Sequence, residues 1–251
     1  MDLNLEGKKA LITGASKGIG AAVAGALARE GCDLILVSRS QDDLEQVAER
    51  LRPQTSVRIY SADLSDSSQL EAVAAYAGEV DILVNNAGAI PPGSIETVTE
   101  DVWRTAWDLK VFGYINLCRL AYARMRDTGG VIINIIGAAG EKPTAGYIAG
   151  SSGNAALMAL TKALGGTAPK DNVRVVGINP GLIFTERLEN AMRSQAEKRM
   201  GDPNRWRELV DARYPPGQPE HIADLVAFLA SDRSSNTTGT IVTCDGGYSS
   251  R

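Results

Sequence analysis

The sequence predicts a single α/β domain, residues 1–251, built on a doubly wound parallel sheet of seven strands. Three observations predict it. Short apolar runs of strand length alternate with helical patterns along the whole chain. A glycine-rich turn joins the first run to the first helical pattern. The 251 residues, 44% hydrophobic and 22% charged, suffice for one full core. Near-continuous hydrophobic strands separated by crossover helices are typical of a parallel sheet covered on both faces.

The alternation defines each element in turn. The predicted strands are Ala10–Thr13, Leu34–Ser38, Val57–Ser61, Ile82–Asn85, Val131–Ile136, Val173–Ile178 and Thr240–Cys244. Helices are predicted near 19–30, 41–51, 66–78, 100–126, 151–165 and 220–230. The sequence contains no internal repeat and no linker, so a second domain is not expected.

One stretch lies outside the alternation. Residues 185–218, here named the insert, are charged and mixed in character and follow the sixth strand. Ligands of open α/β sheets bind beyond the carboxyl ends of the strands. We therefore expect the insert to be a helical lid over a substrate; the alternative is a solvated helical pair without a gating role.

The turn after the first strand carries the clearest ligand signal. Residues 8–20 read KKALITGASKGIG, and Gly14, Gly18 and Gly20 stand where the strand gives way to a helix. Glycines let the backbone approach a pyrophosphate, whose charge is stabilised by the free N–H groups of the helix N-terminus. Ser16, Lys17 and Ile19 of the same turn are assigned to the cofactor with the glycines.

Composition excludes several other functions. A net charge of −4 and a pI near 5.2 give no reason to expect nucleic acid. The opening MDLNLEGKK lacks the apolar region of a signal peptide, and no run approaches the roughly 18 apolar residues of a membrane span. Cys32, Cys118 and Cys244 are widely spaced and indicate reduced thiols, so a cytoplasmic protein is expected. His221 is the only histidine, and no metal site is predicted.

Several ordered motifs resemble the cofactor side of the short-chain dehydrogenase/reductase family. They are TGASKGIG at 13–20, NNAG at 85–88, NPG at 179–181 followed by Thr185, and DGG at 245–247. The resemblance covers essentially the whole chain. It implies a Rossmann-type fold, an NAD(P)-dependent oxidoreductase acting on a carbonyl or alcohol, and further cofactor contacts. These contacts are Asp63 and Leu64 at the adenine, Asn86, Ala87 and Gly88 at the adenine ribose, and Pro180, Gly181, Ile183 and Thr185 at the nicotinamide.

The end of the second strand indicates which nicotinamide cofactor is bound. NAD-binding proteins usually place an acid there for the ribose 2′-hydroxyl, whereas an arginine accommodates a 2′-phosphate. Here the strand ends with Ser38 and Arg39, without an acid, and Lys17 lies in the glycine turn. Arginine offers a phosphate paired donors. The sequence therefore predicts NADP(H) over NAD(H).

The catalytic side departs from the family. The resemblance implies a Ser, then a Tyr, then a Lys four residues after the Tyr, and an Asn on the fourth helix. Counting without gaps from the helix that ends ALMALTKAL puts Gly150 at the Tyr and Asn154 at the Lys position. Counting from the fifth strand puts Gly137 at the Ser position, and Lys110 stands at the Asn position.

A second alignment places Tyr147 on the catalytic Tyr and Ser151 on the Lys. It needs three extra residues at a regular helix, which rotates the apolar face of that helix by most of a turn. The gapless count is preferred for this reason. Neither alignment restores the usual set of residues.

A rebuilt site is the leading hypothesis. Lys110 stands at the family's Asn position and Asn154 at its Lys position, which we interpret as an exchange of these two residues between their helices. The glycines at 137 and 150 leave space into which Tyr147 can turn. A phenol acts as an acid near neutral pH when a nearby cation lowers its pKa, and Lys110 is the predicted cation. The alternatives are substrate-assisted or water-mediated hydride transfer, and loss of catalysis, with Tyr147 as a packing aromatic and Lys110 paired to Asp108 or Glu141.

Other residues receive structural interpretations. Ser151 or Ser152 is expected to cap the helix that starts beside them, and His221 to lie at the start of another. Trp103, Trp107 and Phe112 lie on the long fourth helix, which in the family packs between subunits. The resemblance therefore implies a two-fold homo-oligomer, a tetramer or dimer.

Two function classes remain at this stage. The first is an NADP(H)-dependent carbonyl reductase or alcohol dehydrogenase with a non-standard site. The second is a cofactor-binding subunit of this fold without redox activity. The complete set of cofactor motifs favours the first, because a scaffold does not require the nicotinamide-side residues.

Overall fold

The computed structural model describes residues 2–250. Seven strands form one parallel sheet, as predicted, and their order is β3-β2-β1-β4-β5-β6-β7. The strands are β1 (Lys9–Thr13), β2 (Asp33–Ser38), β3 (Val57–Ser61), β4 (Ile82–Asn85), β5 (Gly130–Ile135), β6 (Val173–Pro180) and β7 (Ile241–Cys244). Their registers follow the apolar runs, with Ile12 opposite Leu36 and Val84 opposite Ile133.

The helices lie between the strands. They are α1 (Gly18–Arg29), α2 (Gln41–Leu51), α3 (Ser67–Ala77), α4 (Glu100–Trp107), α5 (Gly113–Thr128), α6 (Ile148–Thr167), α7 (Glu186–Met200) and α8 (Pro219–Ala230). The long fourth helix is correctly predicted but is not uniform. One wider turn, Asp108–Phe112, has π-helical hydrogen bonding and separates α4 from α5. Such turns frequently mark functional sites, and this one carries Lys110.

Both faces of the sheet are buried. Alternate residues of each strand point to opposite sides, so Ile12 packs under α1, α2 and α8, while Leu11 packs under α3 and α5 on the other face. The two apolar clusters hold the strand ends rigidly. Cys32 and Cys118 are buried in these clusters, Cys244 is half-buried, and all three are free thiols as predicted.

The order of the strands creates the crevice for a ligand. From β1 the chain winds outward through β2 and β3, then returns to β4 on the other side of β1 and winds the other way. The carboxyl ends of β1 and β4 therefore diverge, and in such sheets a ligand binds at this point. The glycine turn follows β1, and the NNAG motif spans the end of β4.

The insert is helical, and its two ends meet. It contains α7 and a 3₁₀ segment, Pro203–Leu209. Ile183 pairs with Gly217 in a short bridge, and Phe184 N donates to Gly217 O at 2.7 Å. This neck closes the insert into a loop attached to the carboxyl end of β6. Among the described residues, 2–250, no helix has the length and apolar character that crossing a membrane requires.

Candidate active site

The glycine turn is packed too closely for a side chain at Gly14 or Gly20. A Cβ on Gly20 would lie 2.2 Å from the Gly14 carbonyl oxygen, and one on Gly14 would lie 2.9 Å from Asn86 Nδ2. Gly14 and Gly18 also have positive φ angles, 63° and 57°. Because α1 begins at Gly18, its first N–H groups face this cradle without intrahelical partners. The turn is built to receive an anion.

The NNAG segment is fastened to the glycine turn. Thr13 Oγ1 accepts the backbone N–H groups of Asn86 and Ala87 at 2.9 and 3.1 Å. Asn86 Nδ2 donates to the carbonyls of Thr13 and Gly14 at 2.9 and 3.1 Å. Gly88 lies against the Lys110 side chain, since a Cβ there would be 2.9 Å from Lys110 Cδ. The two loops therefore form one rigid floor.

The ends of β2 and β3 form the outer part of the crevice. The Arg39 carbonyl accepts from Ser61 Oγ at 2.7 Å, so its backbone is fixed while its side chain is exposed. Two hydrogen bonds from Ser65 lower the pKa of Asp63, and the nearby Arg39 charge lowers it further. Leu64 is buried beside it. Ser38 Oγ donates to the Ser40 carbonyl at 3.3 Å.

Lys17 pairs with an acid of the insert. Its ammonium lies 3.5 Å from Glu186, and the side chains of Lys17 and Glu186 are both about two-thirds exposed. Exposed pairs of this kind contribute little to stability. Lys17 thus ties the glycine turn to the insert and remains free to exchange that partner for a stronger anion.

The carboxyl end of β6 supplies the other wall. Pro180 ends the strand, and a Cβ on Gly181 would lie 2.6 Å from Asp245 Cβ. Ile183 is buried. Thr185 caps α7 by accepting from Leu188 N at 3.3 Å, and its methyl group would contact a Cβ on Gly18 at 3.3 Å. The insert therefore starts in contact with the glycine turn.

Lys110 is half-buried in the π-helical turn. Its ammonium donates to the Ile136 carbonyl at 2.5 Å. Burial lowers the pKa of Lys110 to about 7, and the positive charge of Arg187 adds to this effect. The alternative prediction, an ion pair of Lys110 with Asp108 or Glu141, is wrong. Lys110 bonds to Ile136, and Glu141 accepts from Thr243 Oγ1 at 2.8 Å.

Asn154 occupies the space beside Gly137. A Cβ on Gly137, whose φ is 137°, would lie 2.8 Å from Asn154 Nδ2. The Gly137 N–H is held by Asn179 Oδ1 at 3.2 Å. Asn154 is only 3% exposed, and its Oδ1 has no hydrogen-bond partner among residues 2–250. A buried acceptor left unpaired by the chain is costly, so this atom is free to accept a hydrogen bond from a ligand or a water.

The Tyr147 ring fills the space above Gly150. A Cβ on Gly150 would lie 2.1 Å from two carbons of this ring. The backbone of Tyr147 is held by a bridge to Gly93, and Ile148 N donates to the Gly93 carbonyl at 3.1 Å. The phenol thus stands over the position where a side chain of residue 150 would begin.

Arg187 is the functional candidate that sequence reasoning missed. Its guanidinium donates to the carbonyls of Gly88 and Ile90 at 2.7 and 3.0 Å. Its charge lies beside the Tyr147 phenol, so Arg187, and not the predicted Lys110, is the cation there. Burial raises the pKa of Tyr147, and Arg187 partly offsets this rise. In the sequence, Arg187 is one of many charges in the insert, and nothing sets it apart.

The capping prediction for Ser151 and Ser152 is wrong. The helix begins at Ile148, three residues earlier than predicted, and its N-cap residue is Tyr147. Ser151 lies inside the first turns and is buried. Its Oγ accepts from Thr144 N at 3.2 Å and fixes the segment before Tyr147. His221 does lie at a helix start, where its Nδ1 accepts from Gln218 N at 3.2 Å.

The outer face of α4 carries apolar side chains. Trp107 Nε1 donates to the Ala149 carbonyl at 3.0 Å, so this residue belongs to the interior. Trp103 packs beside it at 6.1 Å between ring centroids. Val102 and Phe112 are 41% and 49% exposed, and Phe112 lines a shallow groove with Trp103 and Trp107.

Comparison with known proteins agrees with this architecture. The family model described as enoyl-(acyl carrier protein) reductase matches residues 14–249. The chain is 32% identical to L-xylulose reductase of Bos taurus, covering 99% of each chain. It is 32% identical to 7alpha-hydroxysteroid dehydrogenase of Escherichia coli K12, covering 98% of this chain and 96% of that one. L-sorbose reductase of Gluconobacter frateurii, solved with NADPH and L-sorbose, superposes with a TM-score of 0.92 at 32% identity, covering 98% of each.

The doubly wound sheet and its glycine cradle define a protein of the dinucleotide-binding class. Within that class, the chain belongs to the short-chain dehydrogenase/reductase family.

Proposed function

We propose that this protein is an NADP(H)-dependent carbonyl reductase or alcohol dehydrogenase in which Tyr147 exchanges the proton. The observation that carries the proposal is the Tyr147 ring over Gly150, beside the cation Arg187. The family relatives are reductases and dehydrogenases of alcohol and carbonyl groups, and this enzyme is assigned the same reaction type. Its site differs in the residues that supply the proton.

The residues present fit a nicotinamide dinucleotide. The glycine cradle accepts a pyrophosphate at the N-terminus of α1, and Asn154 Oδ1 lacks the donor that a ribose hydroxyl would supply. When bound, the nicotinamide supplies or accepts the hydride. Asn86, Ala87 and Gly88 line the floor, and Thr185 closes the wall beside Gly18.

In the reduction direction, the chain's own residues carry the proton. Tyr147 donates its hydroxyl proton to the carbonyl oxygen as charge develops there, and the Arg187 guanidinium stabilises the phenolate that remains. Lys110 holds the Ile136 carbonyl and packs against Gly88. Ser151 fixes the loop before Tyr147. The insert acts as a lid, since Thr185, Glu186 and Arg187 contact both cofactor loops.

The test of this function is turnover. The purified protein is incubated with NADPH and a panel of aldehydes, ketones and quinones, and the loss of NADPH absorbance is followed. Oxidation of NADPH that depends on one carbonyl class supports the proposal. Tight NADPH binding without turnover on any member would instead favour the cofactor-binding subunit without redox activity.

The cofactor preference gives a separate prediction. We expect NADPH to bind more tightly than NADH, and Arg39→Asp to weaken NADPH by about ten- to a hundredfold, because a charge-assisted contact to the 2′-phosphate is lost and a repulsive one is gained. Titration of both cofactors by fluorescence measures it. Arg50→Asp, the same charge change on the exposed end of α2, is the matched control. Equal affinities for the two cofactors would contradict the assignment.

Assembly gives another prediction. We propose a cytoplasmic homo-oligomer with two-fold symmetry, a tetramer or dimer, in which the outer face of α4 is covered by its copy. The exposed Val102 and Phe112 and the groove beside them support this. Light scattering at micromolar concentration is expected to give a multiple of the 26.6 kDa protomer mass, and Phe112→Glu to reduce it. A wild-type monomer mass would refute the proposal.

A further inference from the structure

Arg187 differs from the other arginines of the insert in its partners. Arg193 pairs with Glu189, and Arg205 with Glu208, each at 2.7 Å. No carboxylate among residues 2–250 pairs with Arg187. Its two terminal nitrogens donate to backbone carbonyls of the segment after β4, and its charge lies beside the Tyr147 phenol. Arg187 binds backbone carbonyls across the crevice and pairs with no carboxylate of the described residues. We therefore assign it a role other than solvating the protein surface.

The side chain of Arg187 is held from both ends. Its backbone lies in the first turn of α7, which Thr185 caps and the Ile183–Gly217 neck anchors. Its guanidinium is forked over the carbonyls of Gly88 and Ile90. The planar fork of arginine fits two such acceptors at once, which a lysine ammonium does not do. The guanidinium is thereby held in one place, with its charge beside the Tyr147 hydroxyl.

The same segment after β4 also positions the phenol. Gly93 N donates to the Gly146 carbonyl at 2.8 Å, and Ile148 N donates to the Gly93 carbonyl at 3.1 Å. The Tyr147 side chain packs against Ile90 in a small apolar cluster. Arg187 and Tyr147 are thus both positioned by the same stretch of backbone, residues 88–93.

Other charged groups on the elements that pack against α6 have partners elsewhere. They come from the segment before α6, from α4 and from the π-helical turn. Glu141 accepts from Thr243, Lys142 donates to the Tyr248 carbonyl, Arg104 pairs with Glu100, and Lys110 donates to the Ile136 carbonyl.

We infer that Arg187 is the positioning residue of the Tyr147 phenol and that the lid carries it, so that the proton donor is complete only when the lid rests on the Gly88–Ile90 segment. The inference rests on the proposed function and deepens it by naming the group that replaces the missing cation. It also assigns the insert a part in the chemistry besides covering the substrate.

The test measures Tyr147 ionisation directly and needs no substrate. A polyfluorinated tyrosine at position 147 brings its titration into a range where the protein stays folded, and fluorine NMR follows this residue alone. In Arg187→Met we expect the phenol to titrate about one to three pH units higher than in the parent, because an adjacent cation is lost. Arg187→Lys is expected to recover part of the shift. Arg199→Met, an exposed arginine of the same helix, is the matched control and is expected to leave the titration unchanged.

A second measurement separates this inference from the proposed function. On a verified carbonyl substrate, Arg187→Met is expected to reduce kcat about ten- to a hundredfold and to move the alkaline limb of its pH profile upward, with partial rescue in Arg187→Lys. An unchanged fluorine titration in Arg187→Met overturns the inference whether or not the enzyme is active. A shifted titration in a protein that reduces no carbonyl compound overturns the proposed function and leaves the Arg187–Tyr147 pairing established.

Discussion

Tyr147→Phe is expected to reduce turnover by about a hundred- to ten-thousandfold, the usual contribution of a general acid. NADPH affinity is expected to stay within a factor of about two, because the phenol lies apart from the pyrophosphate and 2′-phosphate contacts. Phenylalanine keeps the ring that covers Gly150, so the fold is not disturbed. Steady-state rates and cofactor titrations on the two proteins measure both effects. Full turnover in the variant would make Tyr147 a packing residue.

Gly150→Ala tests the same site from the other side of the contact. The added Cβ would lie 2.1 Å from the Tyr147 ring, so the ring must leave its place although the hydroxyl is retained. We expect a loss of turnover close to that of Tyr147→Phe, and little further loss when both changes are combined. Gly166→Ala, in the same helix with nothing within 4 Å, is the matched control. Normal activity in Gly150→Ala would show that the position of the ring is irrelevant.

Lys110→Met is expected to stabilise the protein near neutral pH. The pKa of Lys110 falls from 10.5 to about 7 on folding, so between these values the unfolded chain binds more protons and stability rises with pH. Below about pH 7 both states are protonated, and the fold bears the full cost of desolvating the charge. That cost corresponds to at most about 5 kcal/mol at 1.36 kcal/mol per pH unit.

Methionine removes this cost and also the hydrogen bond to Ile136, worth about 1 kcal/mol. The variant is therefore expected to be more stable by a few kcal/mol at about pH 6 and no more stable than the parent at about pH 10. Urea unfolding across this range, at one protomer concentration, measures the crossing. Lys162→Met, an exposed lysine on α6, is the control and is expected to give a constant difference. A Lys110→Met difference that does not change with pH would contradict the burial of the charge.

The sheet and its cofactor loops were predictable because their physics is local. Seven apolar runs fix the strands within one or two residues, and the cradle needs glycine at positions where any Cβ would collide, as at Gly20. Asn86 was likewise predictable, because its motif lies at the end of a buried strand. Such signals depend on neighbouring residues and can be recognised without knowledge of the rest of the chain.

The catalytic side was less predictable because its contacts join distant segments. The space left by Gly137 and Gly150 can be inferred from an alignment, but its occupants cannot. Asn154 turns toward Gly137, and the Tyr147 ring toward Gly150. The contact of Arg187 with the Gly88 carbonyl spans 99 positions and depends on how the insert folds back. Neither the periodicity nor the composition of the sequence indicates that contact.

Two of these close approaches restrict how the lineage of this enzyme can change. A tyrosine introduced at position 150 would have to displace the Tyr147 ring, and a serine introduced at 137 would collide with the Asn154 amide. Each single substitution toward the residues usual in the family therefore displaces the side chain that now fills the space. Descendants of this chain are expected to keep Gly137, Gly150, Tyr147 and Asn154 as an interlocked set, inherited or lost together.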